Sequence, residues 1–271
     1  MKEKEYAKKA FDDVAHIYDE IEFFKISASH VVDIIKEKKF HKNLDILDVA
    51  SGTGNVVLEC AKFMPKSKFD ATDISQSMLN KAEENAKIMG LDNINFNLQD
   101  ITKIQTDKKY DVITCSYALF FLPNSPTVLY TLTTLLKPDG FVVFTSFLEH
   151  AFSPSHKIIL ELLKKHGSQS AKNYELDKWE NLKQIKDIKY LCNLAKVNKP
   201  QISTKEIRYG LSLDEWWELF NNTGYKGMLM ELSEKNYERV KEEYFSSMLD
   251  HMDMDGVVEL NADSYFVVIE K

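Results

Sequence analysis

The segment Leu47-Asp48-Val49-Ala50-Ser51-Gly52-Thr53-Gly54-Asn55 sets two small residues and two glycines directly after a short apolar run. Such a turn lets the backbone approach a ligand closely, and a helix starting behind it offers unpaired N–H groups, so the chemistry indicated is a nucleotide-side pocket. A dinucleotide fingerprint would continue to a third glycine three residues after Gly54. Val57 stands there, so the pyrophosphate version is not matched. A Gly-x-Gly turn can also be no more than a tight strand–helix junction. Asp73 ends the next apolar run about 20 residues after the glycines, where a carboxylate can accept from both ribose hydroxyls. Taken alone it reads equally as a helix-capping acid ahead of Ser75. Gln99-Asp100-Ile101 ends a third run, and Asp100 could accept from an exocyclic amino group or be a polar loop residue with no role.

Three acidic or glycine-rich termini on successive runs must be held side by side, and parallel strands joined by crossover helices do this. The expected strands are Leu44–Val49, Lys68–Asp73, Ile94–Leu98, Tyr110–Ser116 and Gly140–Phe147, then Gln201–Tyr209 and a final run Ser264–Glu270. Several are nearly continuous apolar runs, as strands covered on both faces should be. Between them the pattern predicts helices over Asn55–Met64, Ser75–Met89 and Thr127–Leu136. In the second, Met78, Leu79, Ala82, Ala86 and Met89 recur at helical spacing between an N-cap Ser75 and a stop at Gly90. Lys137-Pro138-Asp139-Gly140 reads as the turn into the next strand.

An amphipathic segment Ala10–Phe24 and a helix Ser29–Lys38 precede the sheet. Helical patterns at Pro154–His166, Leu176–Ala195, Leu213–Asn222 and Ser233–Met252 follow it. No repeat or Gly/Ser linker marks a boundary, so the expectation is a single unit. Its core covers about residues 40–150, 200–211 and 260–271, and its cap is drawn from 1–30 and about 212–255.

At 271 residues, 44% hydrophobic and 28% charged, the chain has ordinary globular composition and can bury one sizeable core. No apolar run is long enough for a signal peptide or a bilayer span, so a cytoplasmic location is expected by default. The formal net charge is −7 with Lys and Glu interspersed, which disfavours a polyanionic substrate such as nucleic acid. Cys60, Cys115 and Cys192 lie in none of the paired spacings of a zinc or redox site, and no histidines and carboxylates converge at ligand spacing, so no metal is expected.

Residues Leu47–Asn55, Asp73, Asp100, the strand Tyr110-Asp111-Val112-Ile113-Thr114-Cys115-Ser116 and the turn Leu135-Leu136-Lys137-Pro138-Asp139-Gly140 resemble the ordered motifs of class I S-adenosylmethionine-dependent methyltransferases. Phe11-Asp12-Asp13-Val14-Ala15-His16-Ile17-Tyr18-Asp19 is similar to the N-terminal helix of the quinone-biosynthesis and related small-molecule type. The resemblance covers Leu44–Phe147. It implies an α/β fold: a Rossmann-like, doubly wound, mostly parallel seven-stranded sheet with helical cap insertions. It implies S-adenosylmethionine as cofactor and S-adenosylhomocysteine as product. Asp48, Ala50, Gly52 and Gly54 would then surround the methionine end and Asp73 would hold the ribose. Ile74 and Met78 would flank the adenine, Asp100 and the Ile101 backbone would read its amino group, and Tyr18 would reach in from the lid. Ser116 and Tyr117 would end the fourth strand beside the methyl-transfer point, with Phe120 and Phe121 next on an apolar turn. Enzymes that methylate DNA bases carry an Asp/Asn-Pro-Pro-aromatic tetrad there. Cys115-Ser116-Tyr117-Ala118 departs from it, which points to a small-molecule acceptor and away from DNA.

Methyl transfer from an activated sulfonium needs positioning and exclusion of water more than a strong base. If a base is used, His150, His156 and His16 are candidates, with Tyr117 beside the transfer point; each histidine reads equally as a surface or capping residue. The aromatic segment Leu213–Phe220, with Trp216, Trp217 and Tyr225, suits an aromatic or cationic acceptor, or staples the cap to the core. Two rival readings stand beside methyl transfer. One is a protein that binds the cofactor without catalysis; the other is a nicotinamide-dependent oxidoreductase, against which the missing third glycine argues.

Overall fold

The structure, a computed structural model, describes residues 12, 14, 15, 18–39, 43–174 and 178–271. His16 and parts of the segments Ala10–Phe24 and Leu176–Ala195 lie outside the described residues. Parallel strands β1 (Asp45–Val49), β2 (Lys68–Asp73), β3 (Ile94–Leu98), β4 (Tyr110–Ser116) and β5 (Leu136–Phe147) form most of a sheet. With β6 (Gln201–Lys205) and β9 (Ser264–Glu270) it has seven strands in the order β3-β2-β1-β4-β5-β9-β6, and β9 pairs antiparallel to both its neighbours. The doubly wound, mostly parallel sheet is therefore the one expected. Its order reverses between β1 and β4, which opens a crevice at their carboxyl ends.

Strand alternation sends each apolar residue to one of two helical layers. Leu47, Ile113, Cys115, Val142, Phe144 and Val267 pack against helices spanning Ser125–Thr134 and Ile185–Ala195. Ile46, Val112, Phe141, Val143 and Phe266 face a helix over Glu22–Lys39 and another over Asn55–Phe63. The first of these starts seven residues earlier than the pattern at Ser29 suggested, because Phe23, Ser27 and Ala28 are already on its buried face. The helix Gln76–Ile88 begins as expected at Ser75, whose hydroxyl accepts from the Met78 N–H at 3.1 Å.

Three elements differ from the sequence reading. The expected turn at Lys137–Gly140 is a bulge inside β5: Tyr110 pairs with Leu136, then Val112 with Phe141. The run Gln201–Tyr209 is broken by Glu206 and Ile207, and β7 (Arg208–Leu211) leaves the main sheet to pair with β8 (Val258–Asn261). The helix expected over Leu176–Ala195 begins only at Ile185. The β7–β8 ribbon carries the cap: helices α1 (Ser155–His166), α2 (Leu213–Asn221), α3 (Lys226–Met230) and α4 (Glu234–Met248) share one apolar cluster with it, joined by Ile21 and Phe23 from the chain's start. Among the described residues no helix is long and apolar enough to cross a membrane.

Candidate functional site

The loop leaving β1 runs through three left-handed residues, Ala50 (φ 52°), Gly52 (φ 56°) and Gly54 (φ 92°). The two glycines serve different ends. A Cβ on Gly54 would sit 3.1 Å from Leu58 Cγ and 3.2 Å from Ala82 Cβ, so this glycine lets the loop pack on its helices. A Cβ on Gly52 would meet nothing within 4 Å, so this glycine faces open space. Asp73, at the end of β2, pins the loop: its carboxylate accepts from the Gly52 N–H at 2.9 Å and the Ser75 N–H at 2.8 Å. Burial pushes the Asp73 carboxyl up, against those backbone donors.

Asp48, on β1, is 2% exposed. One of its oxygens accepts from Thr114 Oγ1 at 2.6 Å, across the β1–β4 crevice; the other is buried with no hydrogen-bond partner among the described residues. Burial pushes its carboxyl up to about 7, opposed by the Thr114 hydrogen bond and the Val57 backbone N–H and aided by the nearby Asp73. Ser116 Oγ, at the end of β4, is likewise buried without a partner among the described residues. Asp48, Ala50, Gly52, Ser116, Tyr18 and Tyr117 all line one cavity of about 60 Å³. Two orphaned polar oxygens beside an open glycine are what a polar ligand satisfies, because buried polar groups in native proteins find partners. The acceptor-only Asp48 oxygen suits a cation or other hydrogen-bond donor.

Asp100 lies further along the same carboxyl edge, as the cap of a short turn at Ile101–Lys103. Its carboxylate accepts from the Thr102 N–H at 2.9 Å and the Thr102 hydroxyl at 2.7 Å, and Ile101 is buried beside it. Ile74 is half-buried, whereas Met78 is covered by Val14 and Ala15 of the N-terminal segment. Tyr18 follows those residues and stacks on Phe24 at 4.8 Å.

A second cavity, of about 530 Å³, adjoins the first, and Tyr18, Phe24 and Tyr117 line both. Its other walls include Phe120, Phe121, Phe147, Phe152 and Phe220. Tyr117 is a left-handed residue (φ 51°) at the exit of β4. Its N–H donates to Thr145 Oγ1 at 3.0 Å, its hydroxyl donates to Ser27 Oγ at 3.0 Å and bonds Ser264 Oγ at 2.8 Å, and its ring stacks on Phe147 at 4.4 Å. Burial pushes its phenol up to about 12, so it stays protonated near neutral pH. Phe120, Phe121 and Tyr225 all line the second cavity, where the sequence reading looked for acceptor contacts.

Trp216 and Trp217 do not line it. They are 0% and 2% exposed inside the cap, where Trp216 Nε1 donates to the Val258 carbonyl at 3.2 Å and Trp217 Nε1 to the Tyr237 hydroxyl at 3.0 Å. Their indoles are stapled inward, and the neighbouring Leu219 and Phe220 reach the cavity instead. His150 also stands away from both cavities, on the surface, 3.5 Å from Asp263. His156 is the histidine the fold brings to the second cavity. Sequence reasoning missed Phe24, Phe147 and Phe152 as wall residues, since each sits in an ordinary apolar run. It also missed Ser27 and Ser264, whose only signal was being a hydroxyl on a buried face. Among the described residues no cluster of His, Cys, Asp or Glu could hold a metal ion.

A family model described as a methyltransferase domain matches residues 40–209. Malonyl-[acyl-carrier protein] O-methyltransferase of Halalkalibacterium halodurans is 30% identical over 162 residues, 57% of this chain and 59% of that protein. The chain thus spans about three fifths of that curated relative's length. Demethylmenaquinone methyltransferase of Bacteroides fragilis is 27% identical over 186 residues, 64% of this chain and 76% of that one. The solved structure of the plantazolicin methyltransferase BpumL in complex with S-adenosylhomocysteine shares the fold, with a TM-score of 0.54 at 16% identity, covering 100% of this chain and 98% of that one. The glycine loop, the acidic strand ends and the switch-point crevice thus sit in a matched family, and the chain belongs to the methyltransferase-domain family, of the class I S-adenosylmethionine-dependent type.

Proposed function

We propose that this chain transfers a methyl group from S-adenosylmethionine to an apolar small molecule held in the aromatic cavity. The observation that carries the reading is the shared wall: Tyr18, Phe24 and Tyr117 line both the small polar cavity and the large aromatic one. A sulfonium methyl set against Ser116 and Tyr117 would therefore face the second chamber. The cofactor supplies a methyl already activated for in-line displacement, so the chain's work is to orient and to dry the two reactants.

In this reading Asp48 receives the ammonium of the methionine part with its unpartnered oxygen. Ala50, Gly52 and Gly54 give the backbone close approach. Asp73 holds the ribose hydroxyls while continuing to pin the Gly52 N–H. Ile74 and Met78 flank the adenine, and Asp100 with the Ile101 backbone meets its amino group. Tyr18 covers the pocket from the side of the cap, and the cap from Leu213 onward encloses the acceptor and excludes water. A volume of about 530 Å³ falls in the range of cavities that take molecules of drug or metabolite size.

The test is incubation with S-adenosylmethionine labelled on its methyl group and a fractionated metabolite extract, scored for label in an apolar product. A thermal-shift titration with S-adenosylhomocysteine runs beside it. A protein that neither gains stability at millimolar cofactor nor transfers label would refute the reading.

A further inference from the structure

The large cavity is mostly aromatic, and besides Tyr18 and Tyr117 on the wall it shares with the small cavity it has a polar end where His156, Tyr174 and Tyr225 meet within reach of the Lys183 charge. His156, in the first turn of α1, is 8% exposed. Its Nδ1 is hydrogen-bonded to the Tyr225 hydroxyl, and its Nε2 is buried with no partner among the described residues. The rings of Tyr174 and Tyr225 stand edge-on to the imidazole, with centroids at 6.0 and 5.7 Å.

That pairing fixes the tautomer. A phenol hydroxyl is the stronger donor and an unprotonated imidazole nitrogen the stronger acceptor, so the Tyr225 O–H donates to Nδ1. Burial pushes the Tyr225 phenol well above its ordinary value, so it keeps the proton it donates. Burial, and then the charges of Lys183, Lys157 and Lys164, press His156 down to about 3. The ring is therefore neutral at physiological pH. A neutral imidazole whose Nδ1 accepts must carry its hydrogen on Nε2. The result is an N–H donor on a residue that lines the cavity, with nothing among the described residues to receive it, and such a group is costly to leave unmade. The same three lysines set a positive potential at this end.

We propose that the His156 Nε2–H is a hydrogen-bond donor for an oxygen of the methyl acceptor, so the cavity takes an apolar molecule bearing a carboxylate or carbonyl oxygen and discriminates against one bearing an ammonium. The proposal rests on the reading of this cavity as the acceptor site. It also decides between the two classes that an aromatic-rich cap permits, in favour of an oxygen-bearing body over a cationic one. His156 is thereby a specificity residue, and Tyr225 a positioning residue that acts by holding the tautomer.

Three probes with one naphthalene body test it: 2-naphthoate, 2-acetylnaphthalene and 2-naphthylmethylammonium, titrated by calorimetry into protein saturated with S-adenosylhomocysteine. The carboxylate and the ketone should bind about tenfold or more tightly than the ammonium, and His156→Phe should remove that preference. Tyr225→Phe keeps the ring and frees Nδ1, so the preference should shrink while the fold persists. The tautomer is read independently, without cofactor, from long-range imidazole 15N correlations. The expected spectrum is a single Nε2–H form in the native protein and a mixture in Tyr225→Phe. Equal affinity for the three probes, or an Nδ1–H tautomer in the native protein, overturns the proposal. Failure to bind S-adenosylhomocysteine strikes the methyltransferase reading instead, and the tautomer spectrum still decides this one.

Discussion

Replacing Asp48 by Asn removes a charge that the free protein must bury and that, in the proposed reading, the cofactor's ammonium pairs with. The residue is 2% exposed, one carboxylate oxygen lacks a hydrogen-bond partner among the described residues, and burial lifts the carboxyl from its ordinary 3.8 to about 7. Between those two values the native state keeps a proton that the unfolded chain has released. The native state then binds more protons than the unfolded one, so stability falls as pH rises through that window and levels off above it. A shift of about three units corresponds to roughly 4 kcal/mol of lost stability at pH 8. Asn keeps the acceptor for Thr114 but buries an unpaired amide, at about 1 to 3 kcal/mol. The variant should therefore be about 1 to 3 kcal/mol more stable than the native chain at pH 8 and no more stable at pH 5. Urea denaturation at the two pH values measures the difference directly. In parallel, S-adenosylhomocysteine affinity at pH 8 should drop about tenfold or more, because the charge-assisted bond to the ligand's ammonium is gone. A stability difference independent of pH would refute the argument about burial. Unchanged affinity would refute the assignment of the free oxygen to the cofactor.

The glycines of the β1 loop separate folding from binding. Gly54→Ala should cost about 1 to 3 kcal/mol of stability through its left-handed backbone and the clash with Leu58 and Ala82, seen as a lower denaturation midpoint. Gly52→Ala should fold with a smaller loss, about 1 kcal/mol, yet bind S-adenosylhomocysteine many-fold more weakly, because its new methyl enters open ligand space. Tyr117→Phe removes the hydroxyl that joins Ser27 to Ser264, leaving two buried hydroxyls with one partner fewer. It should lower stability by about 1 to 3 kcal/mol and turnover along with it, whereas a change in KM alone would contradict its place at the shared wall. Asp263 accepts from Arg208 at 2.6 Å and from the Ile207 N–H at 3.0 Å. Burial pushes its carboxyl up, but these donors outweigh it and hold it below the ordinary range. The stability it contributes is present above pH 4 and lost as pH falls through the depressed value, so Asp263→Asn should lower the melting temperature at pH 7 and flatten its acid dependence.

The strand-end half of the candidate site was legible in the sequence because its signals are local. Each acidic residue follows its own apolar run, so strand ends could be read one at a time. β2, β3 and β4 begin and end where alternation and burial put them. What local reading lacked was any term for pairing. Lys137–Gly140 has turn chemistry and is a bulge only because Tyr110 and Val112 must pair with Leu136 and Phe141. Gln201–Tyr209 is a continuous β-rich run, and its break at Glu206-Ile207 is set by a partner far along the chain: Ile207 N–H donates to Asp263, and the Ala262 N–H donates to the Ile207 carbonyl at 2.8 Å.

The acceptor half was opaque for a different reason. Leu213–Phe220 is apolar enough to be either a pocket wall or a buried staple, and helical periodicity reports only that one face avoids water. The decision falls to hydrogen-bond geometry. An indole N–H needs an acceptor when it is buried, and Trp216 and Trp217 find theirs at Val258 and Tyr237, deep in the cap. That leaves Phe220, one turn further along, to face the cavity. The same rule singles out His156. The imidazole has one nitrogen hydrogen-bonded to the Tyr225 hydroxyl and one buried nitrogen left over among the described residues. An unmatched buried polar atom belongs to no sequence motif, because it is defined by what the rest of the fold fails to supply.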